Sequence, residues 1–238
     1  MSGLRAAVAF LTRIPANGTN DPGGAVAWFP VVGGLVGAVS GTIYVLAGSV
    51  TIPFLAAVAA VAVAVAVTGA FHEDGLADTF DGLSSIRTAE RQIEIMRDSR
   101  LGAFGVVALV LVIVARVMAV GELAVAAETI LVLGWLHALA AAVVIGVMLL
   151  SRPASVEGSG ADYISRVRRP LPSAVAVLTA ALGWFLVDGA VWGVVMAAAL
   201  GPAAVAVWAH RRIGGVTGDV LGACQQLALV GGLAIVAV

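Results

Sequence analysis

The sequence predicts an all-α fold: a polytopic integral membrane bundle of about seven transmembrane helices, six being possible, with its N-terminus in the cytoplasm. Three observations carry this reading. The 238 residues are 61% hydrophobic and only 11% charged, with a mean hydropathy of +1.07, outside the range of soluble domains of this size. Seven apolar stretches reach or approach the roughly 20 residues that an α-helix needs to cross the hydrocarbon. The 13 basic residues are all arginine, and all but Arg116 lie before the first stretch or in every second connection between stretches.

The elements follow in order. Leu4, Ala7, Val8, Leu11 and Ile14 recur at helical spacing opposite Arg5 and Thr12, which predicts a short amphipathic helix anchored in the membrane interface. Residues 17–24, rich in Asn, Gly, Pro and Asp, read as a loop. Spans are predicted at 25–47, 52–70, 101–120, 129–150, 173–187, 189–209 and 220–238. The fifth is short and Pro202 interrupts the sixth, which leaves room for a kinked or re-entrant segment. Trp28, Phe29 and Pro30 open the first span as an interfacial aromatic anchor or, as the alternative, a substrate contact.

Arginine placement orients the bundle. Arg5 and Arg13 precede the first span, Arg87, Arg91, Arg97 and Arg100 follow the second, Arg152, Arg166, Arg168 and Arg169 the fourth, and Arg211 and Arg212 the sixth. The connections near Ser49, at 121–128 and at Asp188 carry none, so the positive-inside rule puts the N-terminus and every arginine-bearing loop in the cytoplasm. No cleavable leader, internal repeat or second domain is expected, and residues 1–238 read as one transmembrane domain with a cytoplasmic-side loop at 71–100. The net charge of −1 argues against a nucleic-acid partner. Cys224, in an apolar run, reads as a packing residue.

Chemistry concentrates in HEDGLADTFDG, residues 72–82. Asp74, Asp78 and Asp81 fall at offsets 0, 4 and 7, within about 60° of one another on a helix. Each like-charge pair at this spacing costs about 0.2–0.5 kcal/mol, and no basic residue stands three or four positions away to offset it. A hard divalent cation, Mg²⁺ or Mn²⁺, would neutralise such a face, using one or two carboxylates plus phosphate oxygens. His72 would point elsewhere on a continuous helix; a break near Gly69 would bring it into play as an acid, base or phosphate ligand.

A second helix in the loop begins at Thr88 as N-cap, with Glu90 in its first turn and Ile93 and Met96 on one side. Arg91 with Glu94, and Glu94 with Arg97, compensate its charge. Asp98, Ser99 and Arg100 stand at the return to the membrane, just before Gly102 and Gly105. Arg97 and Arg100 suit phosphate through forked hydrogen bonds, or else lipid headgroups. In GGVTGD, residues 214–219, Thr217 or Asp219 caps the last helix or adds an acid to the site. Arg116 and His137 lie inside predicted spans, where a charge costs about 2.5–3.5 kcal/mol, so each should face the bundle interior.

Five motifs together resemble the cobalamin synthase family, the adenosylcobinamide-GDP ribazoletransferases, over nearly the whole chain. They are FLTRIP at 10–15, WFPVVGGLVG at 28–37, FHEDGLADTFDG at 71–82, EIMRDSRLGAFG at 94–105 and GGVTGDVLGA at 214–223. The resemblance implies a Mg²⁺-dependent, multi-pass enzyme of the cell (inner) membrane, its active site facing the cytoplasm. It would join adenosylcobinamide-GDP to α-ribazole or its 5′-phosphate, releasing GMP. Departures from the family pattern include His137 for an Arg, Ser155-Val156-Glu157-Gly158 for an Arg-Glu-Glu-Gly stretch, Gln225 and Gln226 where a Glu is usual, and Glu73 for an apolar residue.

On this reading Asp74, Asp78 and Asp81, with Asp98, hold the metal. Arg97, Ser99, Arg100 and Thr217 bind substrate. Asp81, Asp219 or His72 serves as the catalytic base for a ribazole 5′-hydroxyl attacking phosphorus. Two rivals are a CDP-alcohol phosphatidyltransferase, whose further spaced aspartates are absent after Asp81, and a cation transporter, whose acids should sit near the bilayer midplane on broken helices.

Overall fold

The computed structural model describes residues 2–16, 22–155, 159–167 and 170–238. Among them every regular element is helical, apart from one isolated bridge between Pro153 and Val216. The helices are α1 (Ser2–Leu11), α2 (Pro22–Ala25), α3 (Phe29–Gly48), α4 (Pro53–Thr68), α5 (Phe71–Ser84), α6 (Ala89–Met96), α7 (Ala103–Gly121), α8 (Ala127–Leu150), α9 (Ser159–Arg166), α10 (Pro170–Leu182), α11 (Val191–Ile213) and α12 (Gly218–Val236). The chain is a polytopic helical membrane bundle.

Five segments are long and apolar enough to cross a membrane: Pro22–Gly48, α7, α8, α11 and α12. A sixth appears if α4 and α5, bent by 88° at their junction, count as one broken span. The expected span at 52–70 therefore ends early, because Gly69 (φ 67°) and Ala70 (φ 60°) both turn left-handed. The expected span at 173–187 is instead the 13-residue α10 followed by a 3₁₀ turn, Gly183–Phe185. It still runs back along the bundle. The C-terminal ends of α8 and α11 are joined by Arg152 Nε donating to the Gly214 carbonyl at 2.7 Å, so the chain between them must return to the start of α11. Trp135 Nε1 of α8 holds the returning segment by donating to the Thr179 carbonyl at 2.8 Å.

Burial follows helical periodicity inverted for a lipid solvent. On α7, Ala108, Val112 and Arg116 are buried, whereas Val107, Val110, Leu111, Val114 and Met118 are exposed to the surroundings. The same face thus carries the apolar packing and the one intramembrane arginine. Helix α3 packs on α8 through Gly33, Gly37 and Gly41, one small residue per helical turn. A Cβ on Gly33 would lie 2.9 Å from the His137 carbonyl oxygen, and one on Gly41 2.8 Å from the Ile130 Cα. This is the small-residue spacing that lets membrane helices approach backbone to backbone.

Two expectations about the N-terminal region change. The apolar side of α1 is not free for the bilayer: Ala7 is fully buried, Ala6 and Leu11 nearly so, and they join the cluster formed with Val26 and Phe29. The helix ends at Leu11, and Ile14 is exposed. Where 17–24 was expected as loop, Pro22–Ala25 is helical, consistent with proline's fixed φ at a helix start; 17–21 lie outside the described residues.

The arginine-bearing connections gather at one end of the bundle. Arg13 N donates to the Val67 carbonyl at 2.8 Å, Arg97 Nη2 to Ser155 Oγ at 3.3 Å, and Arg212 Nη2 to the Ser85 carbonyl. The arginine-free connections meet at the other end, where the buried Tyr44 hydroxyl donates to the Leu123 carbonyl at 2.6 Å.

Candidate active site

The site begins at the α4–α5 bend. Gly69 N and Ala70 N close the end of α4 on the Ala66 and Val65 carbonyls, and the left-handed Ala70 costs about 1–2 kcal/mol. The turn aims the first residues of α5, His72 to Gly75, at the start of α12. There the two helices nearly touch. A Cβ on Gly75 would lie 2.9 Å from the Asp219 carbonyl oxygen, and one on Gly222 would lie 3.4 Å from the Cα atoms of both Gly75 and His72.

Replacing Gly75 by Val is therefore expected to push α5 off α12 and lower turnover about 100-fold, the cost of roughly 1 Å of misplacement. Turnover by the detergent-extracted variant measures this; an unchanged rate would show that the close approach is dispensable.

That approach assembles the acids. Asp78, half-buried, is repelled by Asp74, Asp219 and Asp81 together. Asp81 has its own partners: its two oxygens accept from Gly102 N at 2.7 Å and Gly105 N at 2.8 Å. It thus caps the positive end of α7. Among the described residues no group of three or more His, Cys, Asp or Glu side chains is placed to hold a metal ion; Asp74 and Asp78, one turn apart on α5, could supply the one or two carboxylates that Mg²⁺ takes, the rest of its shell being water and phosphate oxygens.

Asp98 stands apart from this group. Both of its oxygens accept from Arg100, at 2.6–3.2 Å. Those side-chain and backbone hydrogen bonds, with the guanidinium charge, hold the Asp98 carboxyl down at about 2. Ser99 is exposed between them. Arg97, on the opposite side, acts electrostatically on Asp219. Thr217 caps α12, accepting from Val220 N at 3.3 Å, and its hydroxyl reaches Asp219 at 3.3 Å. Thr88 caps α6, accepting from Arg91 N at 3.4 Å, and Arg91 pairs with Glu94 at 2.7 Å, both as expected. Val156, Glu157, Gly158, Arg168 and Arg169 lie outside the described residues.

Two cavities meet at Asp219. The first, about 150 Å³, runs into the bundle between α3, α5, α8 and α12. Its outer wall is aromatic: Phe10 stacks on Phe29 at 5.8 Å and meets Tyr163 at 4.2 Å and Phe71 at 5.1 Å. His72, edge-on to Phe71 at 5.3 Å, lines it too. The second, about 380 Å³, lies under α6 and α9 and carries Arg97, Ser155 and Thr217. Gly160, Gly218 and Asp219 belong to both walls.

The inner end of the first cavity is polar. Arg116 Nη1 donates to Glu73 Oε1 at 2.9 Å and to Gln226 Oε1 at 2.8 Å, and Gln226 Nε2 donates to Glu73 Oε1 at 3.1 Å. All three side chains are buried. Arg116 thus faces inward, as its cost in lipid requires, and Glu73 neutralises it.

The chain as a whole has counterparts among known proteins. The profile of a family described as cobalamin-5-phosphate synthase matches residues 3–237. The chain belongs to that family. Adenosylcobinamide-GDP ribazoletransferase of Bradyrhizobium diazoefficiens is 41% identical over 231 residues, covering 94% of this chain and 88% of that protein. Those of Klebsiella pneumoniae and Escherichia coli are 37% and 36% identical, each covering 93% of this chain and 94% of the relative. No solved structure matches.

As a member of the cobalamin-5-phosphate synthase family the chain shows features that reading its residues missed. Phe29 was grouped with Trp28 as a lipid anchor, yet Trp28 is exposed and Phe29 is a buried cavity wall. Helix α9 and Tyr163 had gone unnoticed, although Tyr163, Ile164 and Val167 are spaced to bury one side. The pairing of Glu73 with Arg116 was detectable in principle, because an intramembrane arginine demands an acid.

Proposed function

We propose that this chain transfers the adenosylcobinamide phosphoryl group from adenosylcobinamide-GDP to α-ribazole or its 5′-phosphate, releasing GMP. The observation that supports it best is the meeting of two cavities at Asp219, as a reaction between two large substrates needs. The family description, ending in a 5-phosphate product, agrees. A 5′-phosphorylated acceptor has no free 5′-hydroxyl, so in this proposal a ribose ring hydroxyl, present in both acceptors, replaces the 5′-hydroxyl as the attacking group.

Asp74 and Asp78 would hold Mg²⁺, which when bound would neutralise pyrophosphate charge and the leaving oxygen. Arg97, beside Asp219, binds the donor's phosphates. The Asp81 carboxylate fixes α5 against the start of α7. A new P–O bond forms between the ring hydroxyl and the phosphorus bearing cobinamide; the P–O bond to GMP breaks. Asp219, oriented by Thr217, takes the hydroxyl proton. The arginine-bearing end faces the cytoplasm of an inner membrane, where both nucleotide-derived substrates are found.

The test is direct. Membranes holding the chain, given labelled adenosylcobinamide-GDP, α-ribazole and Mg²⁺, are expected to yield a cobalamin and GMP. Chelation should stop the reaction and added Mg²⁺ or Mn²⁺ restore it. Absence of GMP under saturating substrates would refute the assignment.

A further inference from the structure

Two buried polar atoms of the first cavity have no partner among the described residues. They are Glu73 Oε2 and His137 Nε2, and both residues line its inner end. His137 is 7% exposed and Glu73 4%. Their chemistry is fixed by what lies behind them. His137 Nδ1 lies 2.9 Å from the Leu133 carbonyl, which can only accept, so in the neutral ring Nδ1 carries the proton and Nε2 is an acceptor. Glu73 Oε2 is likewise an acceptor. Orphaned buried acceptors are costly unless a ligand supplies donors.

The surroundings narrow the ligand. Arg116 is already neutralised by Glu73 at 2.9 Å, so this end of the cavity carries no net charge for an anion, and a phosphate would meet the Glu73 carboxylate. Arg116, with further N–H groups, and Gln225 line the same end. A group that donates twice and accepts once fits: a neutral carboxamide. Gln226 follows Asp219 by seven residues on α12, so the polar end lies roughly 10 Å along the helix from the acids. A group bound there belongs to a part of the substrate well removed from the reacting phosphorus.

We infer that the inner end of the first cavity is a carboxamide-recognition subsite, formed by His137, Glu73, Gln225 and Arg116, for an amide arm of the corrinoid donor. This rests on the transfer reaction proposed above and deepens it. A vicinal ribose diol also donates twice, so the nucleoside acceptor is the alternative source of the same chemistry. The corrinoid is favoured by distance: the acceptor's ring hydroxyls sit at the reacting phosphorus, whereas corrin arms extend away from it.

His137 permits a clean test, because its Nδ1 bond stays within its own helix. His137→Phe keeps a ring and loses the Nε2 acceptor; His137→Gln keeps a polar tip near the Nε2 position. The Phe variant is expected to raise the KM for adenosylcobinamide-GDP about tenfold, with kcat and the α-ribazole KM within twofold of wild type, and the Gln variant to restore it. An unchanged donor KM overturns the inference, and a raised α-ribazole KM instead assigns the subsite to the nucleoside and overturns it too.

A second measurement needs no turnover. Dicyanocobinamide, a coloured corrinoid without the nucleotide, should bind the purified wild-type chain. His137→Phe should weaken that binding, as should hydrolysis of the ligand's amides to carboxylates, which Glu73 would repel. Equal binding in all cases overturns the subsite. Cobinamide binding lost in the Phe variant, with no GMP formed by wild type, supports the subsite and refutes the transfer reaction.

Discussion

Replacing Asp78 by Asn is expected to abolish GMP release, a loss of about a thousandfold or more, while making the folded chain more stable. The opposite signs have one origin. Asp78 is half-buried among Asp74, Asp81 and Asp219, which repel it; on the proposed reading that repulsion accompanies an oxygen-rich site for a divalent cation. Asparagine keeps the shape and removes one charge. The metal then loses a ligand, and several kcal/mol of transition-state stabilisation goes with it. Thermal unfolding in detergent without divalent cations should move upward, as expected where stability and activity conflict. Near-normal turnover of the variant would dismiss Asp78 as a metal ligand. Unchanged or lowered stability would show that some unseen cation already offsets the cluster.

Arg116→Met alone should be strongly destabilising, by about 3–5 kcal/mol, because Glu73 would be left as an uncompensated charge in the bundle. Adding Glu73→Gln to the same chain should recover most of that loss. The double variant exchanges an ion pair for neutral groups of similar size, and such exchanges are often neutral. Thermal unfolding of the single and double variants gives the coupling between the two sites. Additive effects would mean that the 2.9 Å pair seen here contributes little. Gln226, which bonds both partners, should keep its place in the double variant.

These two variants also mark where residue patterns were sufficient and where they failed. The acid face of α5, the caps at Thr88 and Thr217 and the inward face of Arg116 follow from helical spacing and the cost of charge in lipid. Local rules suffice there, since each involves residues within a turn or two. The roles of Asp81 and Asp98 needed the fold. Asp81 finds its donors 21 and 24 positions away, at Gly102 and Gly105, and no local pattern announces a carboxylate that caps another helix. Asp98 bonds a residue only two away, but helical spacing does not apply in a turn, so its bond to Arg100 was not expected.

Span counting failed for a related reason. Hydropathy measures how long an apolar run is, not whether the backbone stays straight within it. The left-handed pair Gly69–Ala70 converts the end of one run into the corner on which the acids are mounted. Similarly, the glycines at 33, 37 and 41 read as part of an apolar stretch, yet their spacing sets how near α3 comes to His137. The aromatic wall of Phe10, Phe29, Phe71 and Tyr163 draws on four separate elements and becomes visible only when they are assembled.

Gly160, Gly218 and Asp219 belong to the walls of both chambers. On the proposed reading neither recess can be reshaped there without the other, so a bulkier side chain at Gly218 would disturb the seating of both reactants at once.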